Sequence, residues 1–184
     1  MTLPTQGDLD FSRLVLPIQP SDHVQGVPEA LYTLVEYGDY ECPDCGQLFA
    51  VIHELQGKSS GTLRLVFRHY PRSGVHPHAE QAAEAAEAAS AQGRFWEMHD
   101  LLFENQKALS TKDLYRYAEQ LSLDTKRFRD ELKKRVYEDV VREDFRRGVE
   151  NGVYGTPGLF INGVRDNGPL DKDSLLERLR ASAL

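Results

Sequence analysis

The chain's only two cysteines are Cys42 and Cys45, with Pro43 and Asp44 between them. A lone C-x-x-C constrains a fold more than any other feature of the sequence. A structural zinc site needs four ligands, usually two such pairs or one pair followed by H-x₃₋₅-H. The histidines are His23, His53, His69, His76, His78 and His99, and His76-Pro77-His78 has the wrong spacing. A structural disulfide across two residues closes a very short loop and so stabilises little. A redox-active dithiol beside a β-α pattern is the reading that the flanking sequence can test.

That pattern is present. Ala30–Tyr37 (ALYTLVEY) follows Gly26 and Pro28 and is rich in β-branched and aromatic residues, which predicts a strand. Gly38–Glu41 breaks it. Pro43 suits a first helical turn, where its missing N–H is unpaired anyway. Apolar residues at 48, 51, 52 and 55 continue a helix that Gly57 ends. Thr62–Arg68 (TLRLVFR) alternates as a second strand. Cys42 then lies at a helix N-terminus with Cys45 one turn inside. The positive end of the helix and its free N–H groups favour a thiolate there. Cys42 is expected to be the exposed nucleophile and Cys45 the more buried resolving thiol. Asp44 opposes the thiolate, although an exposed charge is screened, which predicts a centre less oxidising than one with histidine there.

Residues 72–150 carry helical patterns without a strand signal. The alanine- and glutamate-rich 78–92 segment is one helix, and Phe95–Phe103 resumes an amphipathic one with Phe95, Trp96 and Phe103 expected in the core. Ser110 or Thr111 caps a helix through Leu121, and Asp124 or Thr125 caps a long charged helix reaching 148–152. Gly155-Thr156-Pro157 precedes an apolar stretch with Asn162-Gly163, a two-residue hairpin signal. A last helix starts around Asp171–Ser174. The order is β-α-β, helices, β-β-α.

Charge and hydropathy exclude other classes. The formal net charge is −7 and the isoelectric point near 5.4, with no basic patch for a nucleic acid. No apolar stretch approaches the ~20 residues of a membrane span. Met1–Gln19 carries Asp8, Asp10 and Arg13 and lacks the basic start and unbroken apolar core of a signal peptide. A cytoplasmic location is expected, or a periplasmic or extracytoplasmic one if the sequence is a processed form.

C-P-x-C early and Thr-Pro before a late hairpin resemble the thioredoxin superfamily. The helical block between them resembles its DsbA-like branch, over nearly all of 22–183. The similarity is carried by V-E-Y-G-D-x-E-C-P-x-C at Val35–Cys45, V-F-R-H-x-P at Val66–Pro71 and H-P-H-A at His76–Ala79. Similar domains also occur fused to sodium–proton antiporters. The resemblance implies an α/β thioredoxin fold with an inserted helical sub-domain. Residues 1–21 would form an N-terminal extension, 22–71 and 150–184 the thioredoxin-fold lobe, and 72–149 the helical lobe. It implies thiol–disulfide exchange with protein or peptide substrates, a redox recycling partner, no cofactor and a monomer. It places a cis Pro157 beside the dithiol, so that Thr156 and Pro157, with Pro43 and Asp44, meet the substrate.

Glu36 stands alone in an apolar strand. It is either a strand-end carboxylate facing water or, as the resemblance favours, a semi-buried acid under the dithiol that exchanges a proton with Cys45. His69, His76 and His78 lack matching further ligands and read as caps or packing. Tyr40 and Glu41 are expected at the surface around the thiol. The alternative to an enzyme is a thioredoxin-fold binding module whose dithiol is silent or captures a soft metal.

Overall fold

The apolar stretches on either side of the cysteines become the centre of a five-stranded sheet. The computed structural model describes residues 12–14, 16–58 and 61–183. Most of the expected N-terminal extension, with Asp8 and Asp10, lies outside them. The strands are β1 (His23–Gln25), β2 (Tyr32–Gly38), β3 (Leu63–His69), β4 (Gly158–Ile161) and β5 (Val164–Asp166), and the spatial order is β1-β3-β2-β4-β5. β2 and β3 are parallel, joined by helix α1 (Pro43–Lys58), while β4 runs antiparallel to β2. β1 has no signal in the sequence, because three residues without alternation pair only through distant β3. Residues 12–14 run along the outer strand: Arg13 bridges Val164, and Leu14 N–H donates to the Gly163 carbonyl at 2.7 Å.

Strand alternation sorts β2 between two cores. Leu34 faces α1 and the last helix, α7 (Lys172–Ala181), with Leu48, Ile52, Leu159, Leu175 and Leu179. Val35 and Tyr37 face the other way, with Val66, Tyr70, Val153 and Phe160. The hairpin between β4 and β5 turns on Asn162 and Gly163, with φ of 48° and 80°. Both positive values are what a two-residue I′ turn requires.

Five helices follow β3: α2 (Ala79–Ser90), α3 (Phe95–Glu104), α4 (Thr111–Gln120), α5 (Thr125–Lys133) and α6 (Glu138–Glu150). Ser110 caps α4 in a capping box with Asp113, and Asp124 caps α5. The long charged helix expected from Asp124 to 148–152 is two helices. Phe128 and Leu132 share one face, but Val141 lies nine residues after Leu132, about half a turn out of phase on one continuous helix. All three are buried, so the chain must break to bury them together. It does so at Arg135 (φ 51°), whose guanidinium reaches Glu80, Glu84 and Glu138. No helix among the described residues is long and apolar enough to cross a membrane.

Candidate redox site

The loop from β2 into α1 carries the two cysteines and is held from several sides. Asp39, fully buried, accepts from the backbone N–H of Glu41 and of Arg72, both at 2.8 Å, and pairs with His76 Nδ1 at 2.7 Å. Its own carbonyl accepts from Cys42 N–H at 3.1 Å. From the turn after α3, Gln106 Nε2 donates to the Tyr40 carbonyl at 3.0 Å and the Cys42 carbonyl at 2.7 Å. Gly46 leaves room for that amide, since a Cβ there would collide with Gln106. Neither Asp39 nor Gln106 was singled out from the sequence. Their role is set by contacts 33 to 66 residues apart in sequence, and only the glycine one turn into the helix hints at a close neighbour.

Cys42 is not exposed: it is 5 % accessible, against 0 % for Cys45. Pro43 and Asp44 are the exposed members of the motif. Both thiols are free, and their titrations split. Cys42 is lowered to about 5, first by the hydrogen bond from the Cys45 thiol. Burial opposes this, while the Thr156 side chain and the backbone N–H groups of Cys45 and Asp44 add to it. The helix N-terminus therefore contributes through its N–H groups, but the neighbouring thiol contributes most. Cys45 is raised well above an ordinary thiol by burial, by its donation to Cys42 and by the charges of Glu36 and Cys42.

Thr156-Pro157 packs against the dithiol, and its peptide bond is cis, as the resemblance implies. Cys42 Sγ lies 3.4 Å from the Thr156 carbonyl oxygen. The Thr156 hydroxyl is buried without another hydrogen-bond partner, so it is available to donate to the Cys42 thiolate.

Glu36 sits mid-way along β2, between Phe67 of β3 and Leu159 of β4. It shares Leu34's face, beneath α1. It is 1 % accessible, which removes the water-facing reading, and it is more buried than the semi-buried acid the resemblance favours. Its Oε1 has no hydrogen-bond partner. Burial, then the charge of Cys42, pushes its carboxyl up to about 8. A cavity of about 480 Å³ reaches Glu36, with His53, His99 and Asp100 among its lining.

Tyr40 differs from expectation, and Glu41 is half-buried. Tyr40 is buried, its ring packed on Phe67 and Phe103 and its hydroxyl 3.1 Å from His99 Nδ1. Glu41 pairs with His78 at 2.9 Å. Phe95 and Phe103 are core residues, as expected, and Trp96 is half-buried. The three histidines read together in the sequence are dispersed: His76 serves Asp39, His78 serves Glu41, and His69 meets Glu87 at 2.8 Å. His23 meets the same Glu87 oxygen at 2.6 Å. Burial raises the Glu87 carboxyl, but the two imidazoles outweigh it and bring it to about 2. Among the described residues, His23, His69 and Glu87 are the one group with donor atoms close enough to hold a metal ion. Both imidazoles hydrogen-bond Glu87 directly, and His69 Nδ1 lacks the outer partner that usually orients a ligating imidazole.

A family model described as Thioredoxin matches residues 19–181. The Na(+)/H(+) antiporter NhaA 3 of Salinispora tropica is 47 % identical over 163 residues, covering 88 % of this chain and 25 % of that protein. The chain thus spans about a quarter of the length of the curated relatives it matches. Among solved structures, oxidised BdbD from Bacillus subtilis superposes with a TM-score of 0.78 at 23 % identity, over 87 % of this chain and 91 % of that one. The thiol-disulfide exchange protein α-DsbA2 from Wolbachia pipientis gives 0.75 at 20 % identity, over 89 % and 88 %.

Proposed function

The chain belongs to the thioredoxin family, with a DsbA-like fold, and we propose that it exchanges disulfides with protein or peptide substrates through Cys42 and Cys45. The observation that carries this is the placement of two free thiols at the start of α1, Cys42 with its Sγ 3.4 Å from the Thr156 carbonyl and Cys45 fully buried beside it, a setting that lowers the first thiol to about 5 and raises the second. One sulfur is ready to attack at neutral pH, and the second is withheld until it is needed.

In the reductive direction, the Cys42 thiolate attacks one sulfur of a substrate disulfide. The S–S bond breaks, a mixed disulfide forms, and the leaving thiolate departs and takes a proton from water. Glu36 in its ionised form, reached by release of its own proton through the cavity, accepts the proton of Cys45, whose thiolate attacks Cys42 Sγ, forms the intramolecular disulfide and releases the second substrate sulfur as a thiolate. The cavity beside Glu36 gives its proton a way to solvent. The same steps reversed oxidise a substrate dithiol. A stabilised Cys42 thiolate favours the reduced form of the couple, which makes transfer of the disulfide to substrate the favoured direction. Asp44 is exposed and its charge screened, so it weakens that preference only slightly. The substrate chain lies against Thr156 and Pro157, with Pro43 and Asp44 at the rim.

The test is trapping. Reduced wild-type chain should alkylate with an inflection near pH 5, where a free cysteine would show ~8.5, and should turn over a disulfide-linked peptide. Cys45→Ser should accumulate a mixed disulfide at Cys42, and Cys42→Ser should do neither. Adducts on Cys45 in the wild type would reverse the two roles. A metal-bound, inactive dithiol would replace the enzyme by the binding module.

A further inference from the structure

We propose that the cleft between the β3–α2 loop, α6 and the Val153–Thr156 segment is a specificity pocket for the substrate peptide. It would take a large apolar side chain two positions from the substrate's reacting cysteine, with an acidic residue beside it. The inference rests on the oxidoreductase reading and extends it.

The cleft is a cavity of about 510 Å³, and Tyr70, Val75, Val141, Phe145 and Tyr154 form its apolar wall. Three of these side chains are left in water: Tyr154 is 79 % accessible, Val75 59 % and Phe145 37 %. A scattered apolar residue on a surface means little, but several converging on one concavity mark a binding site. Its floor is firm. Tyr70 stacks on Phe145 with ring centres 4.4 Å apart, and its hydroxyl donates to the Val153 carbonyl at 2.7 Å.

Both lips are tied to the dithiol. Tyr154 is two residues before Thr156, whose carbonyl is 3.4 Å from Cys42 Sγ. On the other lip, Arg72 N–H is held by Asp39 at 2.8 Å, and the Asp39 carbonyl holds Cys42 N–H. A peptide paired along Thr156 is extended, so residues i and i+2 share a face about 6.5–7 Å apart. A substrate cysteine that meets Cys42 therefore carries its second neighbour toward this cleft. The charge on the lip selects further. The Arg72 side chain is exposed and makes no ion pair among the described residues, so a carboxylate beside the apolar residue finds an unpaired cation.

Two disulfide-linked peptides, with Phe or Ala two positions from the cysteine, and oxidised glutathione as a small disulfide form the test. Wild-type kcat/KM should favour the Phe peptide by about tenfold, the factor for burying one large apolar side chain. Tyr154→Ser, a change at an exposed position, should bring that ratio to about two or below and leave glutathione exchange unchanged. A peptide with Asp beside the Phe should gain a further few-fold, and Arg72→Gln should remove that gain. Equal rates for the Phe and Ala peptides, or a preference that survives Tyr154→Ser, overturns the pocket while glutathione exchange still upholds the oxidoreductase. Absence of Cys42-dependent glutathione exchange in the wild type overturns both.

Discussion

Arg68 and Glu36 are ionisable side chains buried in neighbouring strands of one sheet, on opposite faces. Arg68 sits across from Tyr37 and Glu36 across from Phe67, and each is 1 % accessible or less. Their surroundings differ completely. Arg68 grips Asp22 with two nitrogens, at 3.0 and 2.7 Å, and also donates to Tyr37 Oη and the Pro17 carbonyl. Arg147 reaches the same aspartate at 3.0 Å. Glu36 has an oxygen with no partner at all. A buried charge that is fully paired resists titration and fixes geometry, whereas a buried acid left unpaired keeps its proton into the neutral range. The first tethers residues 16–22 to the sheet, and the second is poised to exchange a proton beneath the cysteines.

The contrast is most sharply broken at Arg68. Arg68→Met leaves Asp22 buried with one cation instead of two. Removing one partner of a buried pair costs ~3–5 kcal/mol, and the remaining Arg147 puts this case at the low end. Urea unfolding should show the loss, while the alkylation inflection of Cys42 stays near pH 5. A loss below about 1 kcal/mol, far short of that range, or a shifted Cys42 titration, would mean that the two faces are not separate devices.

Glu36→Gln tests the other side. The amide cannot take a proton, so resolution of the mixed disulfide should slow by roughly 10²-fold near pH 8, the low end of general acid–base help. Unchanged rates across the pH range would return Glu36 to a packing role. Stability carries a second signature. In the folded reduced chain Cys42 loses its proton near pH 5, but an ordinary unfolded thiol keeps it to 9.0, so stability rises with pH across that window. Glu36 keeps its proton to about 8 when folded and loses it at 4.5 when unfolded, so its contribution falls with pH from 4.5 to 8. Between about 5 and 8 these two contributions oppose each other, and in the reduced wild type the slope from Glu36 offsets the slope from Cys42. Reduced Glu36→Gln should therefore show a stability slope steeper than the wild type's, by ~1.4 kcal/mol per pH unit.

These two regions also differ in how far the sequence discloses them. Glu36 stands out because it interrupts an apolar strand six residues before Cys42, a local irregularity that pattern reading detects. The strand–helix–strand around the cysteines, the caps at Ser110, Asp124 and Asp171, and the Asn162-Gly163 turn are legible for the same reason. Each is decided by residues close in sequence. Arg68 carries no local signal, since its partner Asp22 is 46 residues away. Asp39 and Gln106 are hidden in the same way, and so is β1. The depth of Cys42 is hidden from the sequence because the helices after β3 pack over it, in one core with Tyr40, Phe67 and Phe103. Local chemistry predicts that a thiol is activated, but only the tertiary packing decides how far water reaches it.

Asp44 supplies the smallest and most local test. It lies between the cysteines and is exposed, so its carboxylate acts on Cys42 mainly through water. Two charges about 7 Å apart interact by roughly 0.6 kcal/mol at the dielectric constant of water before salt is counted, and physiological salt screens over ~8 Å. Asp44→Asn should therefore lower the Cys42 alkylation inflection by only ~0.3 pH unit in low salt, and by less as salt is added. The hydrogen bond from Cys45, the Thr156 side chain and the backbone N–H groups are untouched by this change, so the inflection must remain near 5. A shift of a full unit, or one insensitive to salt, would show that Asp44 acts through a desolvated contact. The low titration of Cys42 would then be governed at the rim of the site as much as within its buried wall.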